Sequence, residues 1–108
     1  MSVIDNALTR ERVATADRAR RHAWEQLLIS TDRFEQAETA FNWRTDRVRE
    51  RFHIPTDERL SVEALLERSR DETWQNAVKD CDYYSTRMIA FATAHQSAVA
   101  ELRLLYDA

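Results

Sequence analysis

The chain has 108 residues, a formal net charge of −3 and one cysteine, with 44% of its residues apolar and 32% charged. That is one domain's worth of chain, too apolar for global disorder and too acidic overall to be drawn to nucleic acid or anionic membranes. The lone Cys81 excludes an internal disulfide.

Glycine is absent and the only proline, Pro55, lies near the midpoint. Glycine usually supplies helix C-caps and tight turns, and proline is the strongest helix breaker. A chain this short of both has few places to turn. The expected fold is all-α, a single domain built as a long antiparallel helical hairpin. All but Lys79 of the sixteen basic residues are arginine, a bias that fits a GC-rich bacterial or phage genome. The first residues, Met1 to Asp5, lack a basic segment followed by an apolar run, so no secretory leader is expected. No stretch approaches the roughly 18 apolar residues of a membrane span. The expected setting is the cytoplasm or a larger particle.

The first arm spans about residues 5–53. Its stripe runs Trp24, Leu27, Thr31, Phe34, Glu38, Phe41, Thr45, Val48, Phe52, with Leu28 beside Leu27. Alternating steps of three and four mark a coiled-coil seam. Before Trp24 the stripe thins to Val13, Ala16, Ala19/Arg20 and Ala23. Asp32, with Glu35 after it, is a place where the pattern allows a kink, but the stripe crosses residues 30–32 without a phase jump, so one continuous helix is expected there. The turn covers residues 53–57, where a residue before proline disfavours helix. Thr56, Asp57 and Ser61 are suitable N-caps for the next helix.

The second arm spans about residues 58–106, with a second kink allowed near Ser69, whose capping partner would be Glu72. Its stripe runs Val62, Leu65/Leu66, Ser69, Trp74, Ala77/Val78, Cys81, Tyr84, Met88, Phe91/Ala92, His95, Val99, Leu102 and Leu105/Tyr106. Folding about Pro55 sets Arg44, Arg47, Arg49 and Arg51 near Asp57, Glu58, Glu63 and Glu67. It also sets His95 near Glu11, Thr15 and Arg18. Residues 88–100 carry no formal charge. One face of this stretch meets the first arm. The other carries Ile89, Ala90, Ala94 and Ala98, small apart from Ile89, and admits a second helix closely.

No motif for catalysis, metal binding or phosphate binding stands out, and no cofactor is expected. His95 reads as a core histidine. The His22–Glu25 pair lacks the Glu-x-x-His order of di-iron bundles, and Cys81 sits between Asp80 and Asp82, which disfavours a thiolate. Arg10, Arg18, Arg20 and Arg21 form a basic patch with Trp24 close by, yet they encircle the helix and line no groove. Their natural partners are solvent or the acidic stretch 57–82 of another copy.

Trp43 lies off the stripe and is the candidate interaction anchor. The expected function is therefore a non-enzymatic interaction or assembly subunit, an adaptor or a structural component. Its contacts are Trp43, Ile89, Ala90, Ala94 and Ala98, and its partner is itself or another helical protein. Two other readings stay open on sequence grounds. One is a ligand-binding or catalytic bundle with His95 and arginines in a cavity; the other is a nucleic-acid accessory factor using Arg10, Arg18, Arg20 and Arg21.

Overall fold

A computed structural model describes residues 3–107, with side chains from residue 7 onward. Met1 and Ser2, on which the leader reading partly rests, lie outside them. The fold is all-α: α1 (Val3–Phe52), α2 (Val62–Arg70) and α3 (Glu72–Asp107), with no strand among the described residues. The hairpin expected from the missing glycines is present, and its second arm is broken in two.

α1 ends without glycine. His53 takes the left-handed conformation (φ 54°) that glycine usually supplies. Its N–H donates to the Glu50 carbonyl at 3.3 Å, and the Ile54 N–H donates to the Arg49 carbonyl at 2.9 Å. This is a Schellman cap, with Pro55 preventing any further helix. The Arg49 guanidinium then folds over the connector, donating at 2.7 Å to the carbonyls of both Pro55 and Glu58. Of the three N-cap candidates, Ser61 caps α2, its Oγ accepting from the Ala64 N–H at 3.2 Å.

The break expected near Ser69 is present, and it falls at Asp71. Asp71 is extended (ψ 120°), and its Oδ1 accepts from the Trp74 N–H at 2.8 Å, which makes it the cap of α3. Ser69 lies inside α2 and spends its hydroxyl on the Leu66 carbonyl at 2.7 Å. At Asp32 there is no break. α1 runs straight through it, and its carboxylate accepts from the Gln36 side chain at 2.9 Å, one turn on.

Two compact units divide the helices. The turn unit is Thr31–Ser85. In it Ala37, Ala64 and Ala77 are buried and the Phe41 ring lies 5.7 Å from that of Trp74. The terminal unit joins α1 up to Ser30 with α3 from Thr86 onward. There Ala16, Ala23, Ser30 and Ala98 are buried, and Trp24 packs against His95 with ring centroids 5.2 Å apart.

The buried residues of α1 recur every seventh position: Ala16, Ala23, Ser30, Ala37. Between them Val13, Arg20, Leu27, Phe34, Phe41 and Val48 are half-buried, also every seventh. One column is small and the other large. Small residues let two backbones come close, and the larger side chains then lie along the partner helix. On α3, Ala77 and Ala98 are buried in the same spacing as the half-buried Tyr84 and Phe91. The stripe expected for α1 has the large column right. It also includes Ala16 and Ala23 of the small column, but beyond them it places that column one residue late, on Trp24, Thr31, Glu38 and Thr45.

The paired register also differs from a fold about Pro55. Arg44 reaches Asp71 at 3.4 Å and Trp24 reaches His95, so each α1 residue meets a partner several positions further along than expected. The cause is the connector, which runs on to Ser61 before α2 begins. His95 is thereby carried away from Glu11, Thr15 and Arg18 and onto Trp24.

Candidate functional site

The turn unit gathers arginines and aromatic rings. Trp43 is 50% exposed, with the Arg44 guanidinium 4.5 Å and the Arg47 guanidinium 5.4 Å from its ring centre. Arg44 turns its other side to the second arm, pairing with Asp71 and donating to the Thr73 hydroxyl at 3.3 Å. Arg51 pairs with Glu67, which lies further along the second arm than a fold about Pro55 would bring it. Arg44, Arg47, Arg51, Glu67 and Asp71 border an open cleft of about 510 Å³ that Arg68 also lines.

Arg68 is not among the residues that the sequence singles out. Its guanidinium lies 4.7 Å from the Trp74 ring and 5.6 Å from that of Phe41, and donates to the Thr45 hydroxyl at 3.3 Å. Burial, then the nearby Arg49 charge, pulls its pKa below the ordinary arginine value. No carboxylate pairs with it among the described residues. The arrangement clamps the two rings with a cation and leaves Trp43 as a flat aromatic surface framed by charge. The cue in the sequence is the stripe itself, which places Phe41, Thr45 and Trp74 on the facing sides of the arms.

The four residues expected on the outer face of the second arm separate. Ile89 is 70% exposed, and Ala90 and Ala94 are also exposed. Ala98 is only 7% exposed and belongs to the hairpin's own seam. Ala94 and Ala98 line a groove in the terminal unit of about 650 Å³, whose other wall is α1 with Leu8, Arg12, Ala16 and Ala19. A stripe at spacing four on a helix drifts around its axis, so its last member reaches the seam.

The basic patch is largely spent within the chain. Asp17 Oδ1 accepts from Arg20 Nε and Nη2 at 3.1 and 2.9 Å, and Asp17 Oδ2 pairs with Arg21 at 2.6 Å. Arg18 donates to the Thr15 hydroxyl at 3.3 Å. The hydrogen bond from Arg20 leads the effects that hold the Asp17 carboxyl below its ordinary value. Arg10 is exposed. A row of free cations for a phosphate backbone is not what these residues present.

His95 and Cys81 are both half-buried seam residues. Burial first, then the carboxylates of Glu38, Asp82 and Asp80, raises the Cys81 thiol above its ordinary pKa. Glu38, which interrupts the expected stripe, is exposed. Among the described residues no three His, Cys, Asp or Glu side chains cluster as metal ligands would, and no helix is long and apolar enough to cross a membrane. No protein-family model, curated protein or solved structure matches the chain.

Proposed function

We propose that this chain is a non-enzymatic assembly subunit, an adaptor or a structural component. Its work is done by helical faces presented to itself or to another helical protein. The carrying observation is its surface. The accessible area is 8264 Å², against roughly 6200 Å² for a compact monomer of 12.7 kDa. The excess is more than the roughly 800 Å² a standard interface takes from one partner.

Among the described residues the buried apolar side chains are six alanines, while twelve large apolar side chains stay 42–75% exposed. Burying six methyl groups contributes on the order of 5 kcal/mol before any entropy is counted. A second layer of protein over the exposed residues would supply the missing burial. Trp43, held flat by two arginines, is the contact expected from the turn unit, and Ala90 and Ala94 those from the terminal unit.

The test is the solution mass by light scattering after gel filtration, over about a tenfold concentration range. A dimer or larger species, lost on Ala90→Glu or Ala94→Glu while the helical circular dichroism is kept, supports the reading. A 12.7 kDa monomer throughout, with no affinity for any helical protein, would overturn it.

A further inference from the structure

We infer that the groove of the terminal unit takes the same groove face of a second copy, with the two-fold axis running along the groove. This deepens the assembly reading and rests on it. The groove is bounded by antiparallel helices whose inner residues, Ala16, Ala19, Ala94 and Ala98, are small enough to admit a neighbouring helix. What selects the occupant is the chemistry of the two walls. Arg12 on α1 and Glu101 on α3 line the groove from opposite sides, and neither has an ion-pair partner within 4.0 Å among the described residues. Glu11 also lines the groove, from the same wall as Arg12.

Toward the same end of the groove, Leu8 on the α1 wall is 50% exposed. Leu104, one heptad beyond the groove residue Ser97, is 69% exposed. A two-fold axis along the groove lays the α1 wall of each copy over the α3 wall of the other at the same height. Arg12 then meets Glu101 of the second copy, and Leu8 meets its Leu104, each twice by symmetry. An axis across the groove would set α1 against α1, bringing Arg12 to Glu11 of the second copy. It would also lay the α3 walls on each other, so that Glu101 faces its own kind and Leu8 and Leu104 do not meet. Charge and apolarity therefore point to the same arrangement, a four-helix bundle in which every facing pair is antiparallel.

Charge reversal tests the arrangement because the two copies carry it jointly. R12E sets a second carboxylate opposite Glu101 on the facing wall, and E101R sets a second guanidinium opposite Arg12. Each variant alone should therefore raise the dimer dissociation constant about tenfold or more. Mixing the two variants restores opposite charges across the interface, and analytical ultracentrifugation of the mixture should recover the dimer. A bridge within one chain would be restored only in the double variant R12E/E101R, never by mixing. Dimers that survive in both single variants, or a mixture that stays monomeric, would overturn the inference while leaving assembly through another face intact. A wild-type chain that is monomeric at every concentration would overturn it as well, and the proposed function would then rest on a different helical partner. Circular dichroism of each variant alone separates lost assembly from lost folding.

Discussion

His53 shows how much one residue carries in a chain without glycine. It holds a left-handed backbone that costs an ordinary L-residue about 1 kcal/mol and a β-branched one more. His53→Val should lower the unfolding free energy by about 1–2 kcal/mol, read from the midpoint of urea denaturation; an unchanged midpoint would mean the cap does not need that conformation. Asp17 acts through charge. Its folded pKa lies below the ordinary 3.8, because it accepts from Arg20 and pairs with Arg21. The stability it contributes is therefore present above that ordinary value and is lost as pH falls through the depressed one. Asp17→Asn should flatten the acid side of the stability profile below about pH 4, and denaturation midpoints across that range check it. None of this local chemistry stands out in the sequence. A histidine before Ile-Pro does not announce a left-handed cap, and a carboxylate among five arginines reads as dilution of a patch before it reads as the centre of a network.

The helices show where sequence reading succeeds and where it slips. The large column of α1, Leu27, Phe34, Phe41 and Val48, is legible because bulky apolar residues at spacing seven have no other economical place than a seam. The small column is legible at Ala16 and Ala23 and is lost beyond them, because Trp24 starts a more hydrophobic stripe one residue along from Ala23. Close approach of two helices selects for lack of volume, a property that hydrophobicity ranks poorly. Ala23 is 2% exposed, so Ala23→Leu should force the helices apart and cost about 1–3 kcal/mol. Thermal unfolding measures it, and a variant as stable as wild type would mean that the seam has room to spare. The break in the second arm is expected near Ser69 and lies at Asp71, because an aspartate that caps a helix and also binds Arg44 has two reasons to stop the chain there. The candidate surfaces fare likewise. Trp43 is legible by standing off the stripe, whereas Ala98 reads as outward because one helix alone does not reveal where a drifting stripe meets its partner.

For the whole molecule, the buried core among the described residues is small. If a second copy covers the exposed residues, folding and association are linked, and the midpoint of thermal unfolding rises by several degrees per tenfold increase in protein. A midpoint independent of concentration would count against self-assembly. The seam itself has a further consequence. Because its small residues repeat every seven positions, sliding α1 past its partner by one heptad would lay alanine where alanine or serine already lies. The seam is thus a ratchet with nearly equivalent teeth, able to hold two helices together without saying which tooth belongs in which notch. That choice falls to contacts that do not repeat, gathered near the connector: Arg44 on Asp71, Arg51 on Glu67, and Arg49 closing over Pro55 and Glu58. The turn end is the index mark of the hairpin, and loosening it would free the helices to slip by whole heptads without unwinding.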